Sequence, residues 1–280
     1  MGESLVAGRI AQDDLAGSSG MSAVTDRRVS VWQNKIRPNV KIAGNGPPLV
    51  FLHGAGGLVW DPFLDLLATK HTVYAPEHPG LTEGEHDAIS HLDNLWDLVL
   101  YYYDLLDALG LKSAPVIGHS FGGMMAAELA ASNPERVSKL VLLCPLGLWR
   151  DDAPIPNWML ITPASDMPKY LVHDPEGPLA KQMFGAPNPE MQIRMIWSMA
   201  CTGKFVWPIP DKGLKKRIHR IQAPTLVLWG KQDRLIPAVY AQEFASRIPG
   251  AKLEMIDQAG HVFIAEYPER VAALVEDFLG

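Results

Sequence analysis

The sequence predicts an α/β domain: a mostly parallel eight-stranded sheet with helices on both faces and a helical insertion in the second half of the chain. Three observations carry that expectation. From about residue 28 onward, short β-branched runs alternate with helical patterns, as in chains of βαβ units. Most of the runs are almost continuously apolar, which marks strands covered on both faces. Between Leu142 and Thr225 the alternation stops for about 80 residues, too long a stretch for plain loop.

Taken in order, residues 1 to about 24 are small, polar and aperiodic, and read as a mobile extension in which Met21 could be an alternative start. Strands are expected at 29–33 and 40–43, as an antiparallel beginning. Buried strands follow at 49–53, 72–77, 115–118, 140–144, 225–230 and 252–257. Helices are expected at about 61–69, 92–109, 121–133, 238–248 and 268–279, the last opened by Pro268, whose missing N–H is harmless at a first turn. Residues 25–148 and 211–280 then form the core, and 149–210 an inserted cap over one end of the sheet. Residues 151–210 hold ten of the 23 prolines, and 149–207 hold four of eight Trp and six of eleven Met. Two of the insertion's pieces, 190–202 and 212–221, look helical. The basic run Lys212, Lys215, Lys216, Arg217, Arg220 reads as a solvated helix face.

Composition narrows the function. With 48% apolar and 20% charged residues, the 280-residue chain is not wholesale disordered. Its 25 Lys and Arg against 31 Asp and Glu give a net charge of −6, without the basic footprint of a nucleic-acid binder. Two cysteines, Cys144 and Cys201, are too few for a disulfide scaffold or a cysteine-based zinc site, and suit a reducing compartment. No apolar run approaches the roughly 18 residues that span a bilayer, and the N-terminus has no apolar signal region. The expectation is a cytoplasmic globular protein without nucleic-acid or membrane partners; the oligomeric state is not legible.

The chemistry concentrates at strand ends. Gly118-His119-Ser120-Phe121-Gly122 leaves the strand at 115–118 and opens a helix. Small flanking residues permit the sharp bend that holds a serine exposed above the sheet, and the helix start places the Phe121 N–H beside a developing oxyanion. A serine hydroxyl needs a base. His261, in the loop after the last strand, emerges at the same carboxyl edge, where open α/β sheets bind ligands. Asp233, after the strand at 225–230, is the expected carboxylate that orients His261, with Asp257 as runner-up. The order Ser120, Asp233, His261 differs from that of both common serine-protease groups.

His53-Gly54-Ala55-Gly56-Gly57 follows the strand at 49–53, and the Ala55 N–H is the second expected oxyanion donor. His53 is expected to tie this loop down rather than to react. No Gly-Lys-Ser/Thr follows, which disfavours a phosphate loop. His78, His86 and His91 fit no metal spacing and read as a polar surface loop. His119 is expected to point away from the nucleophile by strand alternation, and Tyr101, Tyr102 and Tyr103 cannot all share one helix face. Trp149, Trp158, Met159, Met195, Met199 and Val262 are the candidate lining of an apolar substrate pocket.

On these residues the sequence resembles the α/β-hydrolase superfamily over about 28–280, and most of all the compact bacterial esterases and the meta-cleavage-product (carbon–carbon bond) hydrolases. The resemblance rests on the 53–57 loop, the Gly118–Gly122 elbow with Gly123, Asp233 within Trp229-Gly230-Lys231-Gln232-Asp233-Arg234-Leu235-Ile236-Pro237, and Gly260-His261 followed by Glu266-Tyr267-Pro268-Glu269. It implies the α/β-hydrolase fold, a Ser120–His261–Asp233 triad and a cap inserted after the sixth strand, with no metal or organic cofactor required. Ser120 stands where epoxide hydrolases and haloalkane dehalogenases carry a carboxylate, which argues against an alkyl-enzyme. Meta-cleavage hydrolases usually show Asn before the nucleophile and Trp after the histidine, where this chain has His119 and Val262. The expected activity is hydrolysis of small to medium apolar or aromatic carboxylic esters through an acyl-enzyme. Carbon–carbon bond hydrolysis is the alternative, and a slow-turnover ligand receptor is the alternative of another class.

Overall fold

The structure is a computed structural model that describes residues 23–161, 166–185 and 189–280. The expected mobile extension at 1–24 falls almost wholly outside the described residues. The strands are β1 (Thr25–Arg28), β2 (Asn39–Ala43), β3 (Pro48–Leu52), β4 (Thr72–Pro76), β5 (Ala114–His119), β6 (Val137–Leu143), β7 (Thr225–Gly230) and β8 (Lys252–Ile256). They form one sheet in the order β1-β2-β4-β3-β5-β6-β7-β8. The pairs β1–β2 and β2–β4 are antiparallel, and all others are parallel.

Helices cover both faces: α1 (Pro62–Ala68), α2 (Leu95–Ala108), α3 (Phe121–Ser132), α8 (Val239–Arg247), α9 (Phe263–Glu266) and α10 (Pro268–Leu279). Asp61 caps α1 by accepting the Leu64 N–H at 3.0 Å, and Asn94 caps α2 through the Trp96 and Asp97 N–H groups. Between β6 and β7 lie α4 (Met167–Leu171), α5 (Pro178–Phe184), α6 (Pro189–Val206) and α7 (Leu214–Arg217), with no strand among the described residues of that stretch. No described helix is long and apolar enough to cross a membrane.

The apolar strands β3, β5, β6 and β7 form the floor of the core. Leu49, Leu52, Ile117, Leu140, Val141, Val227 and Leu228 are all buried there. Trp229 is fully enclosed, and its indole N–H reaches Ile236 O at 3.1 Å. That bond pins the loop after β7, which positions Asp233.

Four expectations about the fold need correction. The strand at 252–257, expected to be buried, is the edge strand β8, in which only Ile256 is buried. The first strand lies at Thr25–Arg28, not at 29–33. Val29 and Val31 are buried, but Val31 only bridges Ile36 across a turn in which Trp32, Gln33 and Asn34 all have positive φ. The basic run is not simply a solvated face: Arg217 makes a two-pronged pair with buried Glu128 on α3, at 2.7 and 2.9 Å. His78 is buried rather than part of a surface loop, although His86 and His91 are exposed.

Candidate active site

Ser120 occupies the bend between β5 and α3 with φ 55° and ψ −116°, a backbone conformation that a residue with a Cβ rarely adopts. The bend closes because its neighbours lack side chains. A Cβ at Gly122 would sit 2.0 Å from Leu52 O, and one at Gly118 would sit 2.3 Å from Gly122 O. The Ser120 N–H donates to Leu143 O at 2.9 Å, and Ser120 O accepts from Met124 N and Leu146 N. The strained residue is therefore held from both sides.

Three strand ends converge on this bend. Ser120 Oγ lies 2.9 Å from His261 Nε2, and His261 Nδ1 lies 2.8 Å from Asp233 Oδ2. Asp233 Oδ1 accepts the Leu235 and Ile236 N–H groups at 2.9 and 2.8 Å. One carboxylate oxygen is thereby locked to its own loop while the other faces the imidazole. That pattern sets the tautomer: Nδ1–H donates to Asp233, leaving the Nε2 lone pair for the serine proton. Asp257 stays apart, exposed and paired with Lys231 at 2.6 Å.

The 53–57 loop lies against Ser120, since a Cβ at Gly54 would be 3.3 Å from Ser120 Cβ. Neither the Ala55 nor the Phe121 N–H has an acceptor among the described residues. Beneath the loop, His53 Nε2 accepts the His78 N–H at 3.1 Å, and His53 Nδ1 is 2.7 Å from Gly54 O. His78 Nε2 in turn reaches His53 O at 2.8 Å, and Tyr102 donates its hydroxyl to His78 Nδ1. Burial holds the His53 imidazole well below its usual pKa and brings that of His78 down to about 4. The network stays neutral near pH 7 and works through hydrogen bonds.

His119 does not point away from the site. Its Nε2–H donates to His261 O at 3.0 Å, and the two rings lie 5.1 Å apart. Cys144 Sγ approaches the same carbonyl at 3.2 Å. Burial, then the neighbouring His261, lowers the His119 pKa to about 3, so it is a neutral donor. His119, Cys144 and His261 bring ligand atoms within 4.8 Å of one another, but the His261 carbonyl already engages two of them. His119 and Cys144 together hold the His261 backbone in place.

A family profile described as the alpha/beta hydrolase family matches residues 49–274, from β3 into the last helix and across all three strand ends. The chain belongs to the alpha/beta hydrolase family. Among its relatives is the 2-hydroxymuconate semialdehyde hydrolase of Pseudomonas sp. (strain CF600), 28% identical over 87% of this chain and 90% of that protein. Another is the poly(3-hydroxyalkanoate) depolymerase of Ectopseudomonas oleovorans, 31% identical over 83% of this chain and 84% of that one. The solved 2-hydroxy-6-oxo-6-phenylhexa-2,4-dienoate hydrolase of Rhodococcus sp. strain RHA1 shares the fold with a TM-score of 0.74. It is 22% identical, and the match covers 92% of this chain and 99% of that one.

Other residues of this alpha/beta hydrolase fall into two groups. Trp149, Trp158 and Met159 line a cavity of about 30 Å³ within the β6–β7 segment, with Ile155, Val206 and Trp207. Met195 and Met199 are half-buried on α6, and Val262 follows the base, its N–H bound to Leu171 O at 3.0 Å. Two residues without an expected role tie the segment down. Glu266 accepts both the Gly260 and the His173 N–H at 2.6 Å, and Arg234 reaches Lys169 O and Val172 O. Glu266 lies one helical turn past His261, and Arg234 adjoins Asp233. Both stand in the stretches that carry the resemblance, but a bond to the inserted segment leaves no local pattern there.

Proposed function

We propose that this alpha/beta hydrolase cleaves carboxylic esters of small to medium apolar or aromatic substrates through an acyl-enzyme. The observation that supports it is the unbroken relay from Ser120 Oγ through His261 to Asp233, beside two unengaged backbone N–H groups. Ser120 Oγ attacks the ester carbonyl as His261 Nε2 takes its proton. The Ala55 and Phe121 N–H groups receive the oxyanion, worth about 3–4 kcal/mol per donor in comparable sites. His261 then passes the proton to the departing alkoxide. A water molecule, activated by the same imidazole, releases the acid. Asp233 fixes the tautomer and stabilises the imidazolium. Helices α4–α6 act as a cap over this edge, and no cofactor enters the cycle. Two buried, unpaired thiols are compatible with action in the cytoplasm.

The poly(3-hydroxyalkanoate) depolymerase relative supports the ester reading, because its named polymer is a polyester. The 2-hydroxymuconate semialdehyde hydrolase relative supports a second reading, hydrolysis of a carbon–carbon bond in a dienone acid by the same serine. His119 and Val262 stand where that group usually carries Asn and Trp, and this favours esters. The test sets a p-nitrophenyl butyrate assay beside a dienone-acid chromophore. Ester turnover at about 1 s⁻¹ or faster, with negligible bleaching of the chromophore, is the expected result. The reverse ranking would establish the second reading.

A further inference from the structure

Helix α6 crosses the carboxyl ends of β3 and β4. Trp197 Nε1 donates to Gly80 O in the loop after β4 at 2.7 Å, and a Cβ at Gly80 would lie 3.1 Å from Cys201 Sγ. In the strand order β4-β3-β5, the turn bearing Ser120 comes next. The 53–57 loop lies between the two. Its near end touches the nucleophile at Gly54, and at its far end a Cβ on Gly57 would lie 3.5 Å from Ser198 Oγ. Ser198 therefore looks down from α6 onto the loop that carries the Ala55 N–H.

Ser198 is 2% exposed, yet its hydroxyl has no hydrogen-bond partner among the described residues. Hydroxyls on helices ordinarily bond back to a carbonyl one turn earlier. Thr202, one turn further along α6, does so, donating to Ser198 O and Met199 O at 3.1 Å. Ser198 does not. A buried hydroxyl without a partner is destabilising unless something else satisfies it, and Ser198 is the one such hydroxyl, among the described residues, that lies against the 53–57 loop.

We propose that Ser198 is a substrate-binding hydroxyl that selects acyl groups carrying an oxygen a few bonds from the scissile carbonyl. This inference rests on the ester-hydrolase reading and on the Ala55 N–H as an oxyanion donor. Ala55 and Gly57 are two residue steps apart, at most about 7 Å, the reach of a short acyl chain. With its carbonyl oxygen at Ala55, a 3-hydroxyacyl or ether-bearing acyl group places its own oxygen under Ser198. A purely aliphatic chain of the same shape leaves the serine hydroxyl unbonded. Sites built to bond a polar group discriminate strongly against analogues that lack it.

The experiment compares p-nitrophenyl 3-hydroxybutyrate with its near-isostere p-nitrophenyl 3-methylbutyrate, on the wild-type protein and on Ser198→Ala, with thermal melts of both proteins. The wild type should favour the hydroxy ester by about tenfold in kcat/KM. In Ser198→Ala that ratio should fall to near one, and the ligand-free Tm should stay level or rise, because the variant loses an unbonded polar group. An equal ratio in both proteins overturns the proposal. So does a clear fall in Tm, which would make Ser198 a structural hydrogen-bonder. Failure of the wild type to cleave either ester would instead overturn the ester reading, together with what rests on it.

Discussion

Asp233 and Asp257 follow neighbouring strands, β7 and β8, with the same carboxylate and opposite surroundings. Asp233 is buried, with two backbone N–H groups on one oxygen and His261 on the other. Asp257 lies in solvent, and its partner Lys231 holds its carboxyl below the usual range. Asp233→Asn should lower kcat/KM by up to about 10⁴-fold with the fold intact, since an amide supports the wrong imidazole tautomer. Asp257→Asn should cost less than about tenfold, as expected of an exposed ion pair. Steady-state kinetics on both variants check this, and the reverse ranking would move the acid to Asp257. Ser120 and Asp233 were legible because each follows a buried apolar run, β5 and β7, whereas His261 follows the mostly unburied β8 and was legible from its place after the last strand. His119 was not. Alternation along β5 describes a straight strand, and His119 is the last residue before the chain bends, so its ring reaches the His261 carbonyl on another loop. No local pattern encodes a contact made 142 residues away.

The loop at 53–57 depends on a seat made by other elements. His78, after β4, and Tyr102, on α2, hold His53 from below. Because burial lowers the folded-state pKa of His78 from 6.5 to about 4, the unfolded chain binds more protons between those values. Stability is then full above pH 6.5 and is lost as pH falls toward 4, by about 3 kcal/mol from this group. His78→Gln should flatten the decline of Tm between pH 6.5 and 4, and parallel declines in both proteins would contradict the assignment. At the same scale, β1 shows why an element can be misplaced. Thr25–Arg28 is exposed at every position and pairs with β2 through its backbone and through polar side-chain bonds of Thr25 and Asp26, without apolar packing. Charged edge strands of this kind resist unwanted pairing and leave no apolar signature. The buried valines beside it do leave one, and they belong to a turn.

Across the whole molecule, the parallel sheet and the strand-free stretch between β6 and β7 were legible because both are statements about long apolar periodicity and its interruption. How that stretch is fastened was not. Its attachment runs through Glu266, Arg234 and the Arg217–Glu128 pair, which join residues far apart in the chain. The aromatic and Met content of the segment is in part turned inward, since Trp149, Trp158 and Met159 line one small cavity. What unites sheet, bend and loops is the placement of Ser120, in a strained conformation, against His261 and beside two backbone N–H groups without acceptors. The most direct test is covalent. Protein treated with a fluorophosphonate during ester turnover should lose activity in step with labelling. Peptide mapping should place a single adduct on Ser120, and Ser120→Ala should neither label nor turn over. An inhibited protein whose Ser120 is unmodified, or a Ser120→Ala variant that still hydrolyses the ester at the wild-type rate, would contradict the account.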